Sequence, residues 1–139
     1  MWVSQSNVEL VQAAFEAFYR GDESAMLALT APDVVVTQFP DQPDVRDYHG
    51  HEGIRQVMRD WIGTWDNWSI EILRAREVES LVFVTALQRG RGRTSGAPIE
   101  GEVVFVFTVR RGAIARWQMF RSEPEARDAV GVGGQPREG

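Results

Sequence analysis

The stretch AFYRGDESAMLALTAPDVVVTQF, residues 17–39, decides the fold of this chain. Apolar residues recur at helical spacing before Gly21, and again between Asp22 and Pro32. Gly21 suits the left-handed position just past a helix end, and Asp22 can cap the helix that follows. The apolar, β-branched run at 34–39 then predicts a strand. Only a few small folds begin with two closely linked helices that lead straight into a strand.

The sequence on either side extends this pattern to three helices. Ser6 and Glu9 form an S-x-x-E capping box, which places the first helix over about residues 7–20. A third amphipathic pattern, which includes Trp65, predicts a helix over roughly residues 52–66.

The remaining sequence predicts an antiparallel β-meander followed by a short helix. We expect strands from Trp68 to Ile72 and over residues 81–93, 99–109 and 114–121, and a helix near 124–130. Arg110-Arg111-Gly112 marks a tight turn between the last two strands. PDQPDVRD at 40–47 predicts a loop, placed where it can cover the mouth of a pocket.

Helices first and antiparallel strands afterwards form the α+β pattern. We expect a cone-shaped barrel, in which three N-terminal helices pack against a curved, mainly antiparallel sheet and leave a hollow apolar end. One domain spans residues 1–130, and the Gly-rich tail at 131–139 is expected to be disordered. Both faces of the strand at 99–109 become apolar after Glu102, so its second face needs a partner, and a homodimer through the sheet would supply one.

Composition excludes several classes of function. The chain has no Cys and no Lys, all fifteen of its cations being Arg. Thiol nucleophiles, disulfides, Cys-ligated metals, lysine Schiff bases and a P-loop lysine are therefore excluded. A net charge of −5 argues against nucleic acid as a partner, because that attraction needs excess cations. No apolar run approaches the ~20 residues of a membrane span and no signal peptide is recognisable, so we expect a cytoplasmic protein with no membrane partner.

Three segments resemble the nuclear transport factor 2-like superfamily and, within it, the SnoaL-like proteins. They are YRGDESAMLALTAPDVVV at 19–36, YHGHEGIRQVM at 48–58 and the hairpin VRRGAIARWQMF at 109–120. The resemblance extends over residues 6–130. It implies a cone-shaped α+β barrel, usually a homodimer, with an interior pocket for a small apolar or aromatic molecule. We expect no cofactor and no metal.

The catalytic groups of that superfamily are missing at the positions that correspond by resemblance. The carboxylate base of a steroid isomerase falls on Gln38, its Tyr on Ala14 and its neutral acid on Phe105. The last-strand Asp of the cyclases and epoxide hydrolases falls on Met119, and the other epoxide hydrolase carboxylate falls close to Gln88. An amide cannot act as a general base, because it has no proton-accepting state near neutral pH.

The expected pocket wall is mainly apolar and aromatic, and consists of Phe15, Gln38, Trp61, Gln88, Phe105, Trp117 and Met119. Large rings bury area and leave few polar handles, which suits a small apolar or aromatic ligand. Simple core packing is the commoner reason for aromatic residues at such spacings. Tyr19 and Tyr48 are additional hydroxyl donors, although Tyr48 is more simply explained by packing at the loop edge.

His49 and His51 are the candidate catalytic residues, because only histidine titrates near neutrality without perturbation. Their H-x-H spacing, followed by Glu52, could bind a metal. An ordinary strand-to-helix junction explains the spacing better, since catalytic zinc needs three protein ligands. Asp41 and Asp44 of the loop are further candidate acids.

A row of three arginines, Arg89, Arg91 and Arg93, shares one face of a predicted strand. Such a row can hold a carboxylate or phosphate ligand. Pairing with Glu100 and Glu102 across the hairpin is the favoured interpretation, because opposite charges stabilise neighbouring strands.

Three functions are open on this basis. The main hypothesis is a pocket protein for a small hydrophobic molecule, of unassigned activity and without the family's usual catalytic carboxylates. The alternative is an isomerase, cyclase or epoxide-hydrolase-like enzyme that acts on a polyketide- or steroid-like substrate through His49, His51 or a loop Asp. The third is a non-catalytic dimerisation module with a collapsed pocket.

Overall fold

The computed structural model describes residues 7–39, 47–79 and 81–131. Within these ranges the helices are α1 (Asn7–Arg20), α2 (Glu23–Leu29), α3 (Gly50–Thr64) and α4 (Glu123–Val130). The strands are β1 (Thr30–Thr37), β2 (Asp47–His49), β3 (Trp65–Val78), β4 (Leu81–Gly92), β5 (Pro98–Arg110) and β6 (Ala113–Phe120). They form one sheet in the order β2-β1-β6-β5-β4-β3, in which only β1 and β6 pair in parallel. The chain is therefore α+β with a mostly antiparallel sheet, as the sequence predicts.

The connection between α1 and α2 follows from the Gly21-Asp22 pair. Gly21 has a φ of 70°, and its N–H donates to the carbonyl of Phe18 at 3.0 Å. The N–H of Asp22 donates to the carbonyl of Ala17 at 2.8 Å, which completes a Schellman motif. The Asp22 carboxylate then accepts a hydrogen bond of 3.2 Å from the N–H of Ala25 and caps α2. The turn that was predicted from sequence is thus present with its caps.

Two glycines shape the junction between β2 and α3. Gly50 has a φ of 70°, which turns the strand into the helix without the strain that a side chain would add. A Cβ on Gly53 would lie only 2.8 Å from the carbonyl carbon of Tyr48, so glycine allows the first turn of α3 to pack on β2. The YHGHEG segment is therefore a structural junction.

Several element boundaries differ from those predicted, and β3, for example, ends at Val78 instead of Ile72. α3 ends before Trp65 instead of reaching residue 66, because Trp65 pairs with Gly92 and so belongs to β3. β1 begins earlier than predicted, at Thr30, which pairs with Ile114 of β6 ahead of a bulge. In each of these cases pairing within the sheet overrides the local pattern.

Part of the predicted loop is also strand. Asp47 pairs with Thr37 and belongs to β2. The other loop residues, 40–46, lie outside the described residues, as do Ser6 of the capping box and the tail at 132–139. Within the described ranges, none of the helices is both long and apolar enough to cross a bilayer.

One face of the sheet packs against α1, α2 and α3 to form the main core. Val11 of α1, Met26 of α2, Ile54 of α3 and Val84 of β4 are all fully buried there. Alternate residues of each strand point to this face, which is why Val103, Phe105 and Phe107 share it. The core positions the helices over the inner side of the sheet.

α4 packs on part of the opposite face of the sheet. Val104 and Val106 of β5 lie in a second buried cluster, together with Phe83, Phe120 and Ala126 of α4. Val104 is 3% exposed and Ala126 is 0% exposed within the single chain. α4 thus supplies a partner for this face of β5, and a homodimer through the sheet stays a prediction.

Ion pairs hold the first turn of α4 on the sheet. The Glu123 carboxylate, whose side chain is 19% exposed, lies 3.7 Å from the guanidinium of Arg74 and also pairs with Arg76, both on β3. Within the helix it pairs with Arg127 at 2.8 Å. Together with the apolar contacts, this network fixes α4 against the outer face.

Candidate binding cavity

A cavity lies between the three helices of the main core and the inner face of the sheet. Its wall consists of fourteen residues: Ala14, Phe15, Phe18, Met26, Thr30, Val57, Trp61, Trp68, Ile70, Phe105, Phe107, Ile114, Trp117 and Met119. Residues at helical spacing on α1 and at alternate positions on β3, β5 and β6 face it. The wall is built by the same periodicities that build the core.

The aromatic side chains of the wall form a continuous series of ring contacts. The Trp61 and Trp68 rings are 5.9 Å apart between centroids, Trp68 and Phe18 are 5.9 Å apart, and Phe18 and Trp117 are 5.6 Å apart. All three contacts are edge-to-face, the arrangement favoured by the ring quadrupoles. Trp117 then stacks on Phe107 at 5.6 Å. The wall therefore offers both faces and edges of rings to a flat molecule.

These rings fill most of the enclosed space. The cavity and its mouth contain about 540 Å³ between protein atoms, but the centre of a water molecule fits into only about 30 Å³ of it. One ordered water needs roughly 10–15 Å³ on this measure, so the closed cavity holds about two waters. An aromatic ligand therefore enters only if some rings move aside.

Four polar side-chain groups lie in this wall, and two of them are already paired. The Thr30 hydroxyl donates to a backbone carbonyl of α2 at 3.0 Å. The indole N–H of Trp68 donates to Oε1 of Gln88 at 3.2 Å. The indole nitrogens of Trp61 and Trp117 are buried and have no hydrogen-bond partner. The surface that faces the cavity is therefore almost wholly apolar.

None of the fourteen wall residues, which all belong to the described ranges, is ionisable. General acid–base catalysis needs a titratable group within hydrogen-bond reach of the reacting atom. In the part of the chain that the structure describes, no three His, Asp or Glu residues are grouped as metal ligands either. The wall can hold an apolar molecule, but it supplies no acid or base.

Five of the seven side chains predicted for the pocket lie on its wall, namely Phe15, Trp61, Phe105, Trp117 and Met119. Gln88 and Gln38 do not, which corrects the prediction for both. Gln88 is buried behind the wall, where it holds the Trp68 indole. Gln38 follows the end of β1, and its amide donates to the Tyr48 hydroxyl at 3.4 Å.

The candidate catalytic residues are not brought to the wall. His49 is exposed at the start of α3 and makes no side-chain capping bond. His51 is half-buried, with Nε2 at 3.1 Å from the carbonyl oxygen of Thr30. Thr30 lines the cavity, so His51 contacts a wall residue but does not line the cavity itself. Asp41 and Asp44 lie outside the described residues.

The arginine row pairs with acids and backbone of its own sheet. Arg89 lies opposite Glu100 on β5, and the two side chains are 3.0 Å apart, which confirms the favoured interpretation. Arg93 pairs with Asp66 at 3.0 Å. Arg91 donates to the Gly96 carbonyl at 2.8 Å. These contacts explain the row as support for the β4–β5 hairpin.

The two tyrosines also lie away from the wall. The Tyr48 hydroxyl is 3.4 Å from both Gln38 and Asp60, at the corner between β2 and α3. Tyr19 is 55% exposed, and its ring contacts Trp68 from the outside at 5.8 Å.

Sequence analysis did not assign Trp68, Ile70 and Met26 to the wall. The alternation of Trp68 and Ile70 indicated one shared strand face, and the inward position of Met26 was predicted from its helix. Both signals were available. Neither says which part of an apolar face borders a cavity and which part is solid core.

Several solved structures share the fold of this chain. A nuclear transport factor 2-like protein from Burkholderia thailandensis E264 is 24% identical, with a TM-score of 0.76 over 95% of this chain and 99% of that chain. A hypothetical protein with a ketosteroid isomerase-like fold from Catenulispora acidiphila, in complex with trimethylamine, is 18% identical, with a TM-score of 0.72 over 91% and 95%. A candidate polyketide cyclase from Xanthomonas campestris is 24% identical, with a TM-score of 0.69 over 87% and 93%. At these identities the likeness shows the fold alone.

The chain thus has a nuclear transport factor 2-like fold. The model of the SnoaL-like domain family matches residues 11–117, most of the length of the chain. The chain therefore belongs to the SnoaL-like family. No curated protein matches it.

Proposed function

We propose that this chain binds a small apolar or aromatic molecule in the cavity, without acid–base chemistry by the family's usual carboxylates. The observation that carries the proposal is the composition of the wall, which is rich in aromatic rings and has no ionisable group among the described residues. Flat ligands gain both area and favourable ring contacts on such a wall. Binding opens the cavity, because the closed form holds only about two waters.

A titration with indane, a bicyclic hydrocarbon, tests this proposal. We expect saturable binding by NMR and a rise in melting temperature, because a ligand of the folded state alone stabilises it. Ala14→Met should weaken binding, since Ala14 lies on the wall and the added side chain fills the cavity. Ala28→Met on the exposed side of α2 is the matched control and should bind as the wild type does. No saturable binding by the wild type would contradict the proposal.

The second candidate is an isomerase, cyclase or epoxide-hydrolase-like enzyme for a polyketide- or steroid-like substrate. Two observations favour this function: His51 contacts the wall residue Thr30, and the Xanthomonas campestris relative is named as a candidate polyketide cyclase. Catalysis would need the His51 ring to leave the Thr30 carbonyl and turn inward. Loss of a demonstrated turnover in His51→Ala, but not in His49→Ala, would support this role.

We further propose a homodimer that forms through the sheet. Its support is the family resemblance, because α4 now accounts for the apolar face of β5. Sedimentation at increasing protein concentration tests it, and a monomer at every concentration would contradict it. In the third role, a dimerisation module with a collapsed cavity, the chain would form the dimer and bind no indane.

A further inference from the structure

A surface groove beside the cavity has no role in the proposed function. Its lining residues are Gln12, Phe15, Glu16 and Tyr19 of α1 and Ile70 and Ile72 of β3. Phe15 and Ile70 also line the cavity, so the groove and the cavity share one wall. The centre of a water molecule fits into about 440 Å³ of the groove, against about 30 Å³ of the closed cavity. A polar group that the cavity would dehydrate can therefore keep its water in the groove.

The groove also differs from the cavity in chemical character. The surface that faces the cavity is almost wholly apolar, whereas the groove has polar side chains on its helix side and isoleucines on its strand side. Burial of a charged group without a partner is costly, so a charged part of a ligand belongs in the groove and an apolar part in the cavity. The two spaces together suit a molecule with one polar end and one apolar end.

Glu16 gives the groove a negative charge. Its side chain is exposed and makes no ion pair with any residue in the described ranges. Arg20, one helical turn further along α1, is placed to pair with it but pairs with Asp22 at 3.3 Å. None of the six lining residues, all of them described, is a cation. The carboxylate of Glu16 is therefore available to a cation from outside the chain.

Tyr19 adds an exposed aromatic ring to the same groove. It is 55% exposed, and its ring contacts that of Trp68 at 5.8 Å between centroids. Tyr19 follows Glu16 by three residues, so the two side chains are neighbours on the surface of α1. Both the carboxylate and the face of an aromatic ring attract a cation, and organic ammonium groups are typical ligands of aromatic surfaces.

We infer that the ligand spans both spaces, with an apolar body in the cavity and an ammonium group in the groove beside Glu16 and Tyr19. The inference rests on the proposed function and adds a second subsite and the charge of the ligand. The Phe15 ring, which lies 5.3 Å from that of Phe105, turns aside to let the ligand cross the shared wall. Repulsion by Glu16 disfavours a ligand with a carboxylate at the same end.

Three probes with one phenylbutyl body and different polar ends test the inference, namely 4-phenylbutylamine, 4-phenylbutanol and 4-phenylbutanoate. Isothermal titration calorimetry at neutral pH gives their dissociation constants. We expect the amine, which is then protonated, to bind about three- to tenfold more tightly than the alcohol, as an exposed ion pair and a ring contact allow. The carboxylate should bind most weakly of the three.

Two glutamate variants show whether Glu16 causes this preference. Glu16→Gln keeps the size and removes the charge, so it should abolish the preference for the amine. Glu71→Gln is the matched control, because Glu71 lies between Ile70 and Ile72 on β3 but points to the opposite face of the sheet. Both variants have the same net charge, so a general attraction of cations to this acidic chain affects them equally. Both positions are exposed, so neither change should disturb the fold.

The outcomes separate the inference from the proposed function. The inference is overturned if the wild type shows no preference for the amine, or if Glu16→Gln lowers that preference no more than Glu71→Gln does. Ala14→Met, which fills the cavity, should also weaken binding of the amine, and unchanged binding would place the amine in the groove alone and overturn the inference. The proposed function stands in each of these cases if indane binds. Failure of indane to bind overturns the proposed function, and the inference with it.

Discussion

At the scale of single residues, Asp22 caps α2, and the pKa of its carboxyl group reports on that cap. The backbone N–H of Ala25 and then the Arg20 side chain stabilise the Asp22 carboxylate and hold its pKa below the usual 3.8. A carboxyl group whose pKa is lower in the folded state than in the unfolded state stabilises the fold at pH values above its unfolded-state pKa. This contribution is lost as the pH falls through the folded-state pKa. The cap therefore stabilises the fold most near neutral pH.

We predict that Asp22→Asn, which keeps an acceptor but lacks the charge, melts at a lower temperature than the wild type at neutral pH. The difference should shrink as the pH falls below about 3.8 and vanish only below the lowered pKa of the folded state, where Asp22 is neutral in both the folded and the unfolded chain. Thermal melts followed by circular dichroism at several pH values measure it. A difference that is the same at every pH would contradict the role given to the charge.

Gln88 carries a second prediction at this scale. Gln88→Leu removes the acceptor of the Trp68 indole and leaves a third unpaired donor beside the cavity, so we expect it to destabilise the fold by about 1–3 kcal/mol. Gln38→Leu is the matched control, since Gln38 is only half-buried and bonds at the corner of β2 and α3, and should cost less. Urea unfolding compares them. Equal costs would contradict the account.

These two glutamines also show what sequence can and cannot give at this scale. The sequence itself shows that no carboxylate stands at either position. It could not show that the Trp68 ring lies between Gln88 and the cavity, or that the Gln38 amide turns to Tyr48. Both depend on side-chain packing from distant parts of the chain.

At the scale of elements, α4 packs on part of the outer face of the sheet. Ala126→Asp would bury an unpaired carboxylate against Val104 and Val106, so α4 should detach at a cost of several kcal/mol. Ala129→Asp makes the same change at an exposed position of the same helix and should be nearly neutral. Binding of a hydrophobic dye and the free energy of unfolding compare the two variants. A normal fold without dye binding in Ala126→Asp would contradict this role of α4.

The packing of α1 on β3 makes a prediction about entry to the cavity. Phe15 and Ile70 line both the cavity and a surface groove that is also lined by Tyr19, so they form the thin wall between them. Phe15→Ala should join the two spaces, at a cost of about 3–5 kcal/mol in stability. Stopped-flow measurement of tryptophan fluorescence should show faster association of indane. Gln12→Ala, which changes only the groove, is the control, and an unchanged rate in Phe15→Ala would contradict this path.

The sequence predicted the helices and strands better than it predicted which of them pair or pack with one another. The capping and turn residues gave the α1–α2 connection and the β5–β6 turn, where Arg111 and Gly112 have φ angles of 55° and 75°. Pairing with distant strands extended β1 back to Thr30 and drew Trp65 into β3. A local pattern does not contain these partners. For the same reason the local sequence pattern could not show whether α4 or a second copy of the chain packs on the outer face of β5.

At the scale of the whole molecule, the α+β class and the family were recognisable from the order of helices and strands. The parallel contact of β1 with β6 places the first strand beside the last, which brings residues far apart in sequence to one cavity wall. The absence of acids at the expected positions extends to the entire described wall. The molecule combines the family's architecture with an apolar wall that has no titratable group.

The dissociation constant of indane between about pH 5 and pH 9 tests this central claim most directly. Titration of a group in contact with the ligand would change the affinity across this range, as histidine would near its pKa of about 6.5. The account predicts saturable binding whose affinity changes by less than about twofold, because no ionisable side chain lies on the described wall. A change of tenfold or more, equivalent to about one pKa unit of coupling, would contradict it and reveal an acid or base at the site.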